Sequence, residues 1–225
     1  MKNHTNHFFI SLFKQFLMFC GIVFCICSVQ GWRSEAKAET GKASPAAGQV
    51  VKKDLISDRV FDPDSELKRL NKLIELGMKN ADVFYNLGWA HEYKGDLQRA
   101  EKDYTRAIEI DKSHVDAYYN RGIIYIRTKR YEKAVTDFST AIKLKPDLVD
   151  AFCNRGNAYF LLGKTALTIE DYNAALRIAP KDPDLYYNRA VIYIAKGERR
   201  QAMEDFETAA GLGHDLAREY LDSAR

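Results

Sequence analysis

The feature that most restricts this chain is a motif that returns every 34 residues: ADVFYNLG at 81–88, VDAYYNRG at 115–122, VDAFCNRG at 149–156 and PDLYYNRA at 183–190. A unit this short cannot close a core of its own, so units at this period must stack and bury a continuous core between neighbours. Counting places from 81, 115, 149 and 183, place 4 is always aromatic (Phe84, Tyr118, Phe152, Tyr186) and place 8 always small (Gly88, Gly122, Gly156, Ala190). Place 11 holds His91, Tyr125, Tyr159 and Tyr193, and place 24 holds Tyr104, Phe138, Tyr172 and Phe206. Place 27 is alanine throughout, at Ala107, Ala141, Ala175 and Ala209. Glycines near place 15 (Gly95, Gly163, Gly197) and prolines near the end of the unit (Pro146, Pro180) mark turns. Each unit therefore reads as two amphipathic helices, with small residues where they approach closely and aromatic rings filling beside them.

This period, with its aromatic and small places, resembles the tetratricopeptide repeat (TPR) family. The resemblance covers four repeats, 81–114, 115–148, 149–182 and 183–214, and implies an all-α helix-turn-helix solenoid with flanking helices. Residues 61–80 read as a half-repeat, because LIELGMKNAD aligns with AIEIDKSHVD; Asp62-Pro63 opens its helix and Gly77 stops it. Residues 215–225 read as a closing helix. Thr168 stands where place 20 is usually small, and Thr165 and Arg199 where place 17 is usually apolar. Repeat 3 is therefore expected to pack its two helices more loosely.

The first 60 residues are of another kind. An uncharged apolar run from Phe16 to Val29 follows Lys2 and Lys14. At ~1.5 Å per residue it is shorter than the ~30 Å hydrocarbon core, so residues 1–38 read as a secretory signal, with an uncleaved anchor as the alternative. The expectation is an exported protein, periplasmic or secreted. Residues 39–60, rich in Gly, Ala, Ser and Lys, read as a flexible linker. Three of the four cysteines lie in the leader and the rest of the chain holds only Cys153, so no disulfide within that part is expected. The leader also holds the chain's excess of positive charge. Beyond it, 30 basic residues balance 30 acidic ones, so no electrostatic footprint for nucleic acid is present.

At 100° per residue, places 4, 7, 8 and 11 of the first helix make one stripe, read as core, and places 2, 6, 9 and 13 another roughly opposite. In TPR proteins the second stripe lines a concave groove, so the resemblance implies a peptide-binding face. Its contents would be Asp82, Asp116, Asp150 and Asp184 at place 2, Asn86, Asn120, Asn154 and Asn188 at place 6, with Trp89 at place 9. Tyr85, Tyr119 and Tyr187 flank them at place 5, where repeat 3 has Cys153. An aspartate in the first turn also gains ~0.3–1 kcal/mol from the helix dipole alone, which explains that row without a ligand. Asparagine costs roughly 0.6 kcal/mol against alanine in mid-helix, and its amide can pair with both polar groups of a peptide backbone. In related solenoids asparagine ladders grip peptides in this way; the alternative is that each amide ties neighbouring first helices together. Four such contacts at ~1 kcal/mol each, less the ordering cost, predict micromolar affinity. The aspartates favour a ligand containing Lys or Arg.

Arg121, Arg155 and Arg189 occupy place 7, where repeat 1 has Leu87, and Asp103, Asp137, Asp171 and Asp205 occupy place 23. Because Arg69 holds the corresponding place before Leu87, pairing between repeats is expected: Asp103–Arg121, Asp137–Arg155 and Asp171–Arg189. No P-loop, HExxH, dinucleotide fingerprint or paired-cysteine metal motif is present. Neither cofactor nor metal is expected, and no catalysis. A co-chaperone clamp fails because Asp150 stands where that clamp needs lysine. The reading is a protein-interaction scaffold binding an extended segment in an envelope or secretion-linked assembly. Alternatives are an accessory subunit of an envelope enzyme or a self-associating architectural module.

Overall fold

The computed structural model describes residues 61–224, and all secondary structure there is helical. The signal reading of 1–38 and the linker reading of 39–60 lie outside the described residues. Helix α1 spans Pro63–Glu75. The first repeat is α2 (Ala81–Tyr93) and α3 (Leu97–Ile110). The second is α4 (Val115–Arg127) and α5 (Tyr131–Leu144). The third is α6 (Val149–Leu161) and α7 (Thr165–Ile178). The fourth is α8 (Pro183–Lys196) and α9 (Arg199–Gly211), followed by α10 (Asp215–Ser223).

Local chemistry fixes the helix ends. Asp62 caps α1 by accepting from the backbone N–H groups of Asp64 and Ser65, and Asn80 caps α2 by accepting from Val83. Between paired helices the chain passes through a left-handed residue, Gly95, Gly163 or Gly197; repeat 2 uses Lys129 at the same place, with φ of 59°.

The core is one train of clusters along the stack. Leu70 of α1 meets Val83 and Leu87 of α2, and at the other end Ala217 of α10 joins Phe206 and Ala190, with Tyr220 packed against them. Place 8 sets how close each pair of helices comes. A Cβ on Gly88 would stand 2.7 Å from the Tyr104 ring, and one on Gly122 2.7 Å from Phe138. On Gly156 the nearest atom would be 3.3 Å away, so repeat 3 is looser here. Its Thr168 is nevertheless fully buried and returns its hydroxyl to the Lys164 carbonyl.

The arginines correct the expected pairing. The Arg121 guanidinium forks onto Asp137 at 2.8 Å through both Nε and Nη2. Arg155 meets Asp171 at 2.9 and 2.7 Å, and Arg189 meets Asp205 at 2.8 and 2.7 Å. The pairs therefore lie within a repeat, not between repeats as Asp103–Arg121, Asp137–Arg155 and Asp171–Arg189. Place 7 of the first helix faces place 23 of the second across the tightest packing in the unit, and that geometry outweighs the like-charge argument from Arg69. The remaining Nη1 of each arginine reaches back to place 25 of the preceding repeat, at Thr105, Ser139 or Asn173. Each guanidinium also lies between the rings of places 4 and 11, as Arg121 does 5.7 Å from both Tyr118 and Tyr125. Repeat 1 has Leu87 instead, which packs on α1, and its Asp103 takes His91 at 2.7 Å.

Candidate peptide-binding face

First helices α4 and α6 approach each other directly along the stack. Side chains from places 5 and 6 link them. The Asn120 amide donates to the Tyr85 hydroxyl at 3.1 Å, and the Asn154 amide donates to the Tyr119 hydroxyl at 2.8 Å. Asn154 is only 3% exposed, so its N–H group lies in the joint between repeats 2 and 3. These two amides tie neighbouring first helices together, the alternative the sequence had left open.

For Asn188 the difference has a reason visible in place 5. Repeat 3 has Cys153 where Tyr85 and Tyr119 stand in the repeats before it, so no phenol is there to receive the Asn188 amide. The residue 34 places before Tyr85 is Val51, outside the described residues. Among the described residues, Asn86 and Asn188 are half-buried and their side chains make no hydrogen bond.

The aspartate row divides the opposite way. His114 caps α4, its Nδ1 accepting from the Ala117 N–H at 3.2 Å, and its Nε2 lies 3.5 Å from Asp82. His214 does the same at α10, with Ala217 at 3.2 Å and Asp184 at 3.4 Å. The His214 ring stacks on Tyr187 with centroids 4.2 Å apart, and His114 lies on Tyr85 at 4.9 Å. Both outer aspartates thus have an imidazole beside them while their carboxylates stay in solvent, 81% and 75% exposed. The corresponding caps in repeats 2 and 3 are Leu148 and Asp182. Asp116 and Asp150 have no basic partner among the described residues. Although Asp150 reaches solvent, partial desolvation, and then the charge of Asp182, hold its carboxyl above the ordinary range.

A network crosses the same face at repeats 1 and 2. The Tyr104 hydroxyl donates to Glu92 at 2.8 Å, and Arg127 donates to the other carboxylate oxygen at 3.1 Å. Burial raises the Glu92 carboxyl, while Tyr104 and Arg127 oppose the rise. Burial also pushes the Tyr85 hydroxyl well up, helped by Asp116, so it stays a neutral phenol. At the amino-terminal end, Trp89 and Tyr93 (places 9 and 13) are 39% and 52% exposed, and the Phe61 ring rests on both, 4.4 and 5.0 Å away.

The sequence-predicted rows are thus on one face, but the tyrosines serve as packing and as hydrogen-bond acceptors between repeats. His114, His214, Glu92 and Phe61 were missed. Aligning HVDA at 114–117 with HDLA at 214–217, each helix opening one repeat after a place-5 tyrosine, would have revealed the histidines.

Sequence comparison decides the family. Models described as "TPR repeat" match residues 124–163 and 156–197, and models described as "Tetratricopeptide repeat" match 81–114, 103–136 and 183–212. The chain belongs to the tetratricopeptide repeat family. As a TPR protein it is a protein-interaction scaffold. No curated protein gives a significant match to the sequence. Among solved structures, a crystal structure of MamA is similar at 23% identity, covering 70% of this chain and 92% of that one with a TM-score of 0.65. A second MamA crystal structure matches at 22% identity, 76% and 89% coverage and a TM-score of 0.64. MamA from Desulfovibrio magneticus, from residue 41 onward, matches at 21% identity, 67% and 85% coverage and a TM-score of 0.63. At such identities the likeness is one of fold. No helix among the described residues is long and apolar enough to cross a membrane.

Proposed function

We propose that this TPR stack binds an extended protein segment carrying Lys or Arg along its first-helix face, without catalysis, in an exported or envelope-linked assembly. The observation that carries the reading is the pair Asp116 and Asp150, carboxylates of the first-helix face with no basic partner among the described residues. Basic side chains of a ligand complete these pairs, and the free amides of Asn86 and Asn188 reach its backbone at the two ends. Trp89 and Tyr93 add apolar area at the amino-terminal end. The middle asparagines hold the repeats in register and make the face rigid, which lowers the cost of binding. The apolar leader supports export.

The test is affinity for arrayed extended peptides that differ only in Lys and Arg content. The double variant Asp116→Asn/Asp150→Asn is expected to bind basic peptides about tenfold more weakly, with a flatter salt dependence. Asp82→Asn and Asp184→Asn are expected to change affinity less than about threefold, because an imidazole already faces each carboxylate. Equal loss from the outer and middle pairs contradicts the reading.

A further inference from the structure

The described fold begins with a side chain already seated on the candidate face. Phe61 packs on Trp89 and Tyr93, which stand at places 9 and 13 of α2. Those places share the stripe of Asp82 and Asn86, since places 2, 6, 9 and 13 fall within about 60° around a helix at 100° per residue. The described chain therefore begins with a ring seated on the first-helix face.

The composition of the residues before Phe61 complements the face. Residues 42–60 carry Lys42, Lys52, Lys53 and Arg59 against Asp54 and Asp58, with Val50 and Val51 just before the lysine pair. The face offers Asp116 and Asp150 without basic partners among the described residues, and the charge of Asp182 acts on Asp150. Reach also agrees. Lys52 and Lys53 precede Phe61 by nine and eight residues, roughly 25–30 Å of extended chain at ~3.3 Å per residue. Asp150 is at place 2 of the first helix two repeats from α2, ~20 Å across the stack at ~10 Å per first helix and ~14 Å along the helix from Phe61's seat, roughly 24 Å in all.

We propose that residues 42–60 of this chain dock on its own first-helix face, with Lys52 and Lys53 paired to Asp116 and Asp150. The inference rests on the peptide-binding reading above: the segment is a built-in ligand with which a partner's basic segment must compete. Tethered at Phe61, it has an effective concentration in the millimolar range, enough to hold a site of modest affinity.

The full-length chain tests this by zero-length carbodiimide coupling, which joins only amines and carboxylates already in contact. The reaction is run on a mixture of ¹⁴N- and ¹⁵N-labelled chains and followed by peptide mapping. The expected products join Lys52 or Lys53 to Asp116, Asp150 or Asp182 within one isotopic chain. Absence of these links, or mixed-label links at the statistical half expected for random pairing of copies, overturns the proposal, the latter by making a second copy the occupant. A free synthetic peptide of residues 48–60 separates this failure from failure of the groove reading. It is expected to bind the full-length variant Lys52→Glu/Lys53→Glu about tenfold more tightly than the unaltered chain. Equal binding to both overturns self-docking and leaves the groove standing; no binding to either overturns both.

Discussion

Repeats 2 and 3 and repeats 1 and 4 share the same Asp and Asn places and use them in opposite ways. In the middle repeats the asparagine amides of Asn120 and Asn154 are taken up by Tyr85 and Tyr119, and the aspartates Asp116 and Asp150 have no base among the described residues. In the outer repeats Asn86 and Asn188 are open, while Asp82 and Asp184 lie beside His114 and His214. Two neighbours decide each role: the place-5 residue one repeat earlier, and the residue that caps the next first helix. Four identical letters in a repeat array thus do not make four identical contacts.

The largest effect that sharpens this contrast concerns what holds the repeats themselves. Asp171 is 5% exposed and takes both arms of Arg155. Asp171→Ala strands a half-buried guanidinium and is expected to lower unfolding free energy by about 2–3 kcal/mol in urea titrations. Asp103→Ala in repeat 1 removes a partly exposed contact to an imidazole, and about 1 kcal/mol is expected. Similar losses at the two sites would contradict the difference between a forked arginine, which repeats 2 to 4 share, and the imidazole of repeat 1.

A smaller effect tests the place-5 rule by converting an outer asparagine to the middle type. Cys153→Tyr supplies the missing phenol before Asn188. Calorimetry with a basic peptide should show about fivefold weaker binding, the equivalent of roughly 1 kcal/mol for one amide contact. Unchanged affinity would mean that Asn188 does not meet the ligand.

The smallest effect is one of pH. The carboxyl of Asp150 is raised above its ordinary value of 3.8 by desolvation and by Asp182. A raised acid destabilises the fold once it is ionised, and that penalty disappears as pH falls below the unfolded value. Asp150→Asn is therefore expected to be slightly more stable than the parent at pH 7, with the two urea midpoints converging below about pH 4.

Most of the architecture was legible because stacking imposes a period. Places 8 and 24 had to be a small residue facing an aromatic one, and Gly122 against Phe138 is that contact. What failed depended on which of two helices a side chain meets. Arg121 could reach Asp103 or Asp137 by spacing alone, and the packing of helices within a repeat chose Asp137. The tyrosines at place 5 were read as ligand contacts because the sequence shows their helix but not the next one. Tyr119 meets Asn154 across a separation of 35 residues, one more than the period, which repeat alignment does not display. Phe61 escaped because it precedes the first repeat and has no copies to compare.

The most direct test of the divided face compares Asn154→Ala with Asn188→Ala, measuring urea stability and affinity for a basic peptide in both. The account predicts that Asn154→Ala loses about 1–2 kcal/mol of stability, because it breaks a buried link between repeats. Asn188→Ala should keep stability within about 0.5 kcal/mol and lose peptide affinity several-fold. Equal stability losses, or an affinity loss confined to Asn154→Ala, would contradict it.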